Sequence, residues 1–361
     1  MKVAIYINNL AHLESTSRIA YMLARAWKKE GHYVEFLINK PPIELAKEFP
    51  IRVLKGKGDL FRAKEIGEIL QKENFDGCLA FMRPQSTVLG LARLLKPQLK
   101  TKLVASIRNN DNYRSYNRWY QIPYRLLEKF LLEKNDRIVA ISYAVKEDIE
   151  KAFFINPQKI SVIYNPIDVE AVRKLAQEPI AGDEEQIFEA PTIINVARLE
   201  EQKGLHHLIK AFYFVQKKVA ESRLVLVGDG SLRKDLENLA QQLGIRDKVH
   251  FLGWRKNPFK YLIRAKVFAF TSIWEGFGLA LLEAMALNIP IVAFKTKGGH
   301  AEFLKDCCPL VDYPKEEVLA EEIVKLLTDK QYYRTIQEKV QNRVKDFHYE
   351  KVAQKYLEQM I

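Results

Sequence analysis

The chain alternates short apolar runs with longer stretches in which apolar residues recur every three or four positions. The apolar runs have the length and composition of buried strands, and the periodic stretches those of amphipathic helices. The first predicted strand is Lys2–Ile7, and later ones include Lys102–Ile107, 192–197 and 291–294. Strands that alternate with helices from end to end are typical of parallel sheets, so an α/β fold is expected.

Residues 274–286 combine two glutamates, a glycine turn and a predicted helix. A buried strand predicted over 266–271 leads into Glu275-Gly-Phe-Gly278, and strong helix formers follow until Asn288-Ile-Pro290 ends the helix. The first amides of such a helix are unpaired and favour phosphate. Glu283 lies about one turn inside the helix, where its carboxylate can accept hydrogen bonds from sugar hydroxyls. Taken alone, the stretch is explained equally well by an ordinary strand-to-helix connection with solvated glutamates.

Two cations follow an earlier predicted strand. The strand 192–197 runs into Arg198, and Lys203-Gly204 opens a helix predicted over 205–219. Both cations therefore fall at the carboxyl end of a strand, where open α/β sheets bind ligands. A diphosphate needs fixed positive charge, and arginine and lysine supply a planar fork and a point charge.

Further glycine turns follow other strands, and the whole set resembles one family. Gly228-Asp-Gly230 is a weak signal by itself, because it lacks the third glycine of a dinucleotide fingerprint. The combined pattern closely resembles the nucleotide-sugar half of the retaining GT-B glycosyltransferases of family 4, also called glycosyl transferases group 1. The matching features, in order, are Val196-Ala-Arg198 with Lys203-Gly204, Leu226-Val-Gly-Asp-Gly230, Phe251-Leu-Gly253, Glu275-Gly-Phe-Gly278 with Glu283-Ala284, and Gly298-Gly299 with Glu302.

The resemblance implies a GT-B fold, in which two Rossmann-like α/β domains face a cleft. The length of 361 residues is sufficient for two such domains with separate cores. We expect an acceptor-binding domain over 1–168, a nucleotide-sugar-binding domain over 169–345, and a final helix within about 346–361 that crosses back to the first domain. The hinge is predicted at Asn165-Pro166. Residues 177–189 are acidic, contain Pro and Gly, and are expected to form a linker-like loop.

The resemblance also implies roles for individual residues. Arg198 and Lys203 would hold the donor diphosphate and stabilise charge on the departing nucleotide, and Glu275 would contact the transferred sugar. No protein nucleophile is evident. The residues implied to bind the rest of the donor are Gly228, Gly230, Phe277, Gly278, Leu279 and Glu283.

The first loop departs from the family pattern. Relatives usually have a glycine-rich segment there, whereas this chain has Glu14-Ser-Thr-Ser-Arg18. Ser15 and Thr16 are predicted to cap the helix that runs to Glu30, where Gly31 ends it. Their alternative role is a contact with the donor or the acceptor.

A second departure follows the strand Lys102–Ile107. Many relatives place a histidine near this edge, whereas here Arg108 and Asn109 follow the strand. These two residues either face the cleft and bind substrate, or they belong to a turn, because Asn-Asn-Asp is strong turn chemistry.

Positive charge is concentrated in the first half of the chain. Of a net charge of +12, residues 1–168 carry +10, from 28 Lys and Arg against 18 Asp and Glu. Residues 113–134 interleave basic and aromatic side chains, which favours an anionic membrane surface. Nucleic acid, or a helix that packs its aromatic side inward, would explain the same pattern. These residues are Arg114, Arg118, Arg125, Lys129, Lys134, Tyr113, Tyr116, Trp119, Tyr120, Tyr124 and Phe130.

Other features bear on compartment and cofactors. We expect no signal peptide, because a buried strand is predicted almost from Met1, and no segment approaches the roughly twenty apolar residues of a membrane span. Cys78, Cys307 and Cys308 match no metal spacing and are expected to be buried thiols in a reducing cytosol. No aspartate-rich metal motif is evident. We therefore expect neither a cofactor nor a metal.

The sequence predicts a cytoplasmic, retaining glycosyltransferase that lies peripherally on the inner face of the membrane. It would transfer a sugar from a UDP- or GDP-sugar to a glycan acceptor, lipid-linked in our interpretation, in cell-surface polysaccharide or lipopolysaccharide biosynthesis. No nucleic acid partner is expected. A nucleotide-sugar epimerase or a sugar phosphorylase of the same fold is the first alternative. The second is a non-catalytic basic protein that binds membrane or nucleic acid, against which the intact Arg198, Lys203, Glu275 and Glu283 argue.

Overall fold

The chain forms two compact units. The computed structural model describes residues 1–10, 15–41, 48–108 and 122–361. Unit 1 comprises Met1–Pro166 and Tyr349–Ile361, and unit 2 comprises Ile167–His348. The sequence had placed these boundaries after residues 168 and 345. Among the described helices, none combines the length and the apolar character that crossing a lipid bilayer requires.

Unit 1 is built on a parallel sheet. Its described strands, β1 to β7, are Lys2–Ile7, Tyr33–Ile38, Ile51–Val53, Gly77–Phe81, Lys102–Ile107, Arg137–Ala140 and Ile160–Val162. They pair in the order β3-β2-β1-β4-β5-β6-β7, every pair parallel. The strands are apolar on both faces because helices cover the sheet on both sides. The order reverses between β1 and β4, so the carboxyl ends of these two strands flank a crevice.

The described helices of unit 1 begin with α1. Helices α1 to α5 are Ser15–Lys29, Asp59–Lys72, Arg83–Leu95, Ile122–Glu133 and Tyr143–Phe153. Helix α1 is described from Ser15 onward, so Ser15 and Thr16 lie in its first described turn, and their capping role stays a prediction because residues 11–14 lie outside the described residues. The helix ends as predicted before Gly31, where His32 N donates to Trp27 O at 2.9 Å.

Unit 2 repeats the same topology. Its described strands, β8 to β15, are Thr192–Val196, Arg223–Val227, Val249–Gly253, Val267–Phe270, Trp274–Glu275, Ile291–Lys295, Lys297–Gly298 and Leu310–Asp312. Six of them form a parallel sheet in the order β10-β9-β8-β11-β13-β15, and β12 pairs with β14. The order reverses between β8 and β11. The predicted strands at 192–197, 266–271 and 291–294 are thus confirmed to within one residue at either end.

The described helices of unit 2 flank its sheet, and one further helix belongs to unit 1. Helices α6 to α13 are Val169–Ala176, Leu205–Gln216, Arg233–Gln242, Phe259–Leu262, Leu279–Ala286, His300–Leu304, Glu316–Thr328 and Lys330–Val344. The last helix, α14 (Tyr349–Glu358), belongs to unit 1 and packs on α1. There Trp27 Nε1 donates to Ala353 O at 2.9 Å, and Lys29 pairs with Glu350 at 2.6 Å. The α/β architecture expected from the sequence is therefore confirmed.

The segment 177–189 is not the linker-like loop that its composition suggested. Residues Gly182–Glu189 form a 3-10 helix. Glu184 accepts a hydrogen bond from Tyr261 at 2.7 Å and forms an ion pair with Arg255, so the acidic segment is held to unit 2 by specific partners. Acidic composition with Pro and Gly cannot distinguish a solvated loop from one whose charges meet partners elsewhere in the fold.

Candidate functional site

The loops that follow β8 and β11 are hydrogen-bonded to each other. Thr271 Oγ1 donates to Lys203 O at 3.0 Å, Ile273 N donates to Gln202 O at 2.8 Å, and Gln202 Nε2 donates to Trp274 O at 2.9 Å. These loops leave the carboxyl ends of the two strands between which the strand order reverses. Open α/β sheets bind ligands at this position, which makes the two loops the first candidate site.

A lysine–glutamate pair lies where these loops meet. Lys203 Nζ is 2.5 Å from Glu275 Oε2, and the two side chains are 15% and 16% exposed. Water screens such a sheltered pair less than a surface pair. The ammonium can neutralise an anionic ligand, and the carboxylate can accept hydrogen bonds from hydroxyl groups. Two residues that the sequence selected separately are therefore brought together.

The Gly298-Gly299 turn contacts the backbone of Glu275. Glu275 pairs with Gly298 across the short β12–β14 ladder, and Gly299 N donates to Glu275 O at 3.3 Å. Gly298 has a φ of 151°, and a Cβ atom there would overlap the carbonyl oxygen of Glu275. Only glycine allows this approach, so the Gly298-Gly299 turn sets the position of Glu275 through backbone contacts.

The loops after β8 and β9 are also in close contact. A Cβ atom on Gly228 would overlap Ala197 O, and one on Gly230 would overlap the backbone of Leu199. These two glycines therefore support the loop that carries Arg198. Arg198 itself is exposed to solvent. The backbone of Gly228 and Gly230 therefore contacts this loop directly, and a contact of either glycine with a ligand stays a prediction.

The start of α10 follows Glu275 directly. The Phe277 ring is 2% exposed and stacks on Phe303 with the ring centroids 4.6 Å apart, so this side chain anchors the turn in the core. Gly278 and Leu279 then begin the helix, whose first amides have no partner within the helix. Glu283, in the same helix, is buried. Because the Phe277 ring is buried, the backbone of this turn, and not that ring, is available to contact a ligand.

His300 is a candidate that motif analysis missed. It begins α11, is fully buried, and lies with Nε2 3.0 Å from Phe294 O and its ring 5.1 Å from Phe270. Burial lowers the pKa of His300. The hydrogen bond to Phe294 O and the charge of Glu275 oppose this shift, whereas the charge of Lys203 adds to it. Because a carbonyl only accepts, Nε2 carries the proton and Nδ1 is an acceptor. Within the described part of the chain Nδ1 has no hydrogen-bond partner.

Arg108, the candidate in unit 1, is buried at the end of β5. Its Nη1 donates to Ser106 Oγ at 3.2 Å and to Tyr356 OH at 3.4 Å, and its Nη2 donates to Asn165 Oδ1. The guanidinium lies 5.2 Å from the centroid of the Phe81 ring. Burial lowers the pKa of Arg108. The side chain thus links β5 to α14 and to the end of the first segment of unit 1.

The remaining unit 1 candidates lie close to the crevice between β1 and β4. Thr16 Oγ1 is 4.0 Å from Met82 Sδ, whereas the neighbouring Ser15 is exposed. Met82 has a φ of 74°, a backbone conformation that is rare for residues other than glycine. Residues in such conformations occur often at functional sites. Asn109 lies outside the described residues.

Helix α4 carries a second surface of interest. Its exposed apolar side chains, which we call the α4 surface, are Ile122, Tyr124, Leu126, Leu127 and Phe130. Tyr124 is 71% exposed and Phe130 is 43% exposed, so the alternative in which this helix packs its aromatic side inward is wrong for residues 122–134. Residues 113–121 of the same basic and aromatic stretch lie outside the described residues. Several exposed apolar side chains on one helix are typical of an interaction site.

The fold and the site match one class of protein. Two Rossmann-like units, with a cation, a glutamate and a glycine-supported helix start at the strand reversal of the second, are the arrangement that the resemblance to the GT-B glycosyltransferases implied. The family model described as Glycosyltransferase Family 4 matches residues 16–171, and the one described as Glycosyl transferases group 1 matches residues 180–343. The chain belongs to this family, and the family and fold predicted from the sequence are confirmed.

Characterised relatives resemble the chain over most of its length. An N-acetylgalactosamine-N,N'-diacetylbacillosaminyl-diphospho-undecaprenol 4-alpha-N-acetylgalactosaminyltransferase of Campylobacter jejuni is 29% identical over 294 residues, covering 81% of this chain and 74% of the relative. The N-acetyl-alpha-D-glucosaminyl L-malate synthase of Bacillus anthracis is 25% identical over 383 residues, covering 99% of this chain and 96% of the relative. Among solved structures, Anabaena HepE in complex with UDP superposes with a TM-score of 0.81 at 20% identity, covering 99% of both chains.

Proposed function

We propose that this transferase moves a sugar from a UDP- or GDP-sugar to a lipid-linked glycan, with retention of anomeric configuration, in cell-surface polysaccharide or lipopolysaccharide biosynthesis. The observation that carries the proposal is the Lys203–Glu275 pair at the strand reversal of unit 2. The Campylobacter relative is named for a diphospho-undecaprenol acceptor, and the Anabaena structure contains UDP, which supports both substrate classes.

In the proposed reaction the nucleoside diphosphate is the leaving group. The bond between the sugar carbon and the diphosphate oxygen breaks, the acceptor hydroxyl oxygen bonds to that carbon, and the hydroxyl proton leaves with the diphosphate. Lys203 and Arg198 supply positive charge, and the amides at Gly278 and Leu279 supply the positive end of a helix dipole. Preorganised charge of this kind lowers the barrier to departure of an anion. Glu275 would hold the sugar, and Glu283 the ribose.

We further propose that donor binding needs no divalent cation. Among the described residues, no group of three or more His, Cys, Asp and Glu side chains is arranged to hold a metal ion. Lys203, Arg198 and the start of α10 would neutralise the diphosphate instead. In calorimetric titrations, UDP or GDP should bind equally well with a chelator and with magnesium. Binding that disappears with the chelator and returns with magnesium would contradict this proposal.

Activity assays separate the proposed transfer from its alternatives. We expect UDP or GDP to be released from a sugar donor only when a glycan acceptor is added, and the product to retain the anomeric configuration. An epimerase would isomerise the donor without an acceptor, and a phosphorylase would turn over with inorganic phosphate and no nucleotide. Because the Bacillus relative is named for malate, a small soluble acceptor should be assayed beside a diphospho-undecaprenol glycan.

We propose that the α4 surface docks on the inner face of an anionic membrane, which would bring the protein to a lipid-linked acceptor. The net charge of +10 over residues 1–168 favours such a surface, and the apolar α4 side chains can enter its interfacial layer. Arg125 is less available to anionic lipid headgroups than its position in the sequence suggested. Its Nη2 donates to Lys151 O at 3.2 Å and its Nε donates to Ala152 O, both at the end of α5.

Replacing Leu126 and Phe130 together with serine should weaken binding to anionic liposomes by at least about tenfold, because each buried side chain of this size contributes roughly 1.5–3 kcal/mol. Sedimentation with liposomes at low and high salt measures the effect. The matched control changes Leu60 and Phe61, an exposed Leu and Phe pair on α2, to serine. The proposal is wrong if the wild type fails to pellet, or if both variants pellet alike. Preferential binding to nucleic acid would favour the basic binding-protein alternative.

A further inference from the structure

Two adjacent cysteines lie just after α11, and the proposed transfer uses neither. Cys307 and Cys308 are free and buried, and their sulfur atoms are 3.5 Å apart. The backbone N–H groups of both donate to Leu304 O at 3.0 Å, which holds the two residues in a tight turn. The turn holds the two sulfur atoms in contact, so the pair is preorganised.

The two thiols differ in acidity. The hydrogen bond from Cys308 lowers the pKa of Cys307 against the opposing effect of burial, and the positive charge of Arg343 lowers it further. Burial, reinforced by the same hydrogen bond, raises the pKa of Cys308. Cys307 is therefore the thiol that ionises first, and Cys308 lies within reach of any species formed on it. An acidic thiol beside a second thiol is the arrangement of redox-sensitive cysteine pairs.

We propose that Cys307 and Cys308 form a modification site at which a hydroperoxide oxidises the pair to a disulfide. The Cys307 thiolate attacks one peroxide oxygen, which breaks the O–O bond, gives a sulfenic acid, and releases hydroxide that takes a proton to become water. Cys308 then attacks the Cys307 sulfur and expels the sulfenic oxygen as a second water. The two thiols are only 3% and 7% exposed, which favours a small oxidant such as hydrogen peroxide over a larger disulfide reagent.

The resulting disulfide would be easily reduced. The sulfur atoms must close from 3.5 Å to about 2 Å, and Cα atoms of consecutive residues are about 3.8 Å apart, which is shorter than the usual span of a disulfide. Strained disulfides have more oxidising potentials and are the labile ones. The pair would therefore respond reversibly to oxidation and reduction.

Oxidation would also disturb the start of α10. The Cys307 sulfur lies 3.6 Å from Phe303 O and 3.5 Å from Leu304 O, and it has no hydrogen to donate to these acceptors once it is bonded to Cys308. The Phe303 ring stacks on Phe277, which immediately precedes Gly278. A shift of Phe303 would therefore reach the helix start that is proposed to bind the diphosphate. This consequence rests on the proposed function, whereas formation of the disulfide does not.

Mass spectrometry of the full chain tests the disulfide itself. Protein treated with hydrogen peroxide is denatured, alkylated with N-ethylmaleimide, and digested with trypsin, which releases residues 306–315. We expect this peptide to have lost two hydrogen atoms and to carry no alkyl group, and dithiothreitol to restore alkylation at both cysteines. Cys78, which is buried without a second thiol, should remain alkylated. Full alkylation of residues 306–315 after peroxide, or sulfinic acid without a disulfide, would overturn the proposal.

Variants and donor binding complete the test. Cys308→Ser should leave Cys307 to accumulate sulfenic and sulfinic acid, whereas Cys78→Ser should still form the disulfide. If Cys308→Ser does not fold, Cys308→Ala serves the same purpose.

Oxidation should weaken UDP binding by roughly tenfold, in the range typical of coupling between neighbouring sites, and reduction should restore it. Unchanged affinity after complete oxidation refutes the coupling. Failure of the reduced protein to bind UDP or GDP refutes the proposed function and leaves the mass result to decide the disulfide.

Discussion

Replacing Lys203 with alanine is expected to lower turnover by about two orders of magnitude or more, the scale that follows removal of one preorganised charge from an active site. Lys203 is the cation that the structure places against Glu275, at the strand reversal of unit 2. The remaining positive charge of Arg198 is exposed to solvent and is therefore more strongly screened. Steady-state kinetics with saturating donor and acceptor measure the loss.

Glu275→Ala provides the second half of this prediction. Turnover should fall by a similar factor, whereas UDP or GDP affinity should change little, because the carboxylate is assigned to the sugar and not to the diphosphate. Lys210→Ala, which removes an exposed lysine from α7, is the matched control and should behave as wild type. Circular dichroism confirms folding, since either change leaves a partly buried charge without its partner. Near-wild-type turnover in Lys203→Ala or Glu275→Ala refutes the assigned role.

Gly298→Ala should lower stability by about 3 kcal/mol and reduce turnover at least about tenfold, because the added methyl group forces the backbone of Glu275 to move. The new Cβ atom would overlap Glu275 O, which is a backbone atom and cannot rotate away. Separation of β12 from β14 would displace the Glu275 carboxylate from Lys203. Chemical denaturation and steady-state kinetics measure the two effects on the same preparation.

Gly244→Ala separates backbone strain from steric overlap. Gly244 also has a positive φ, of 70°, but a Cβ atom there would meet nothing within 4 Å. This change should cost only about 1–2 kcal/mol, the penalty of a left-handed conformation, and should leave turnover unchanged. If Gly298→Ala resembles Gly244→Ala in both measurements, the close approach of Gly298 to Glu275 does not control the site.

The sequence by itself determined the α/β class, the positions of several strands and the local chemistry of the motifs. The predicted bounds of the strand Lys102–Ile107 are those that the structure shows, and the helix predicted to end before Gly31 does so. Such features are local, because apolar periodicity, capping and glycine turns depend on residues a few positions apart. The family followed from the order of local motifs between Val196 and Glu302.

Only the tertiary structure decided which side chains meet. Lys203 and Glu275 are 72 positions apart, and nothing in either motif states that their side chains form an ion pair. His300 became a candidate because it is buried beside that pair, and Arg108 proved to be a buried link within unit 1. The sequence also could not tell whether α4 hides or exposes its apolar side chains. Periodicity reveals that a face is apolar, whereas what covers that face depends on contacts between elements distant in the chain.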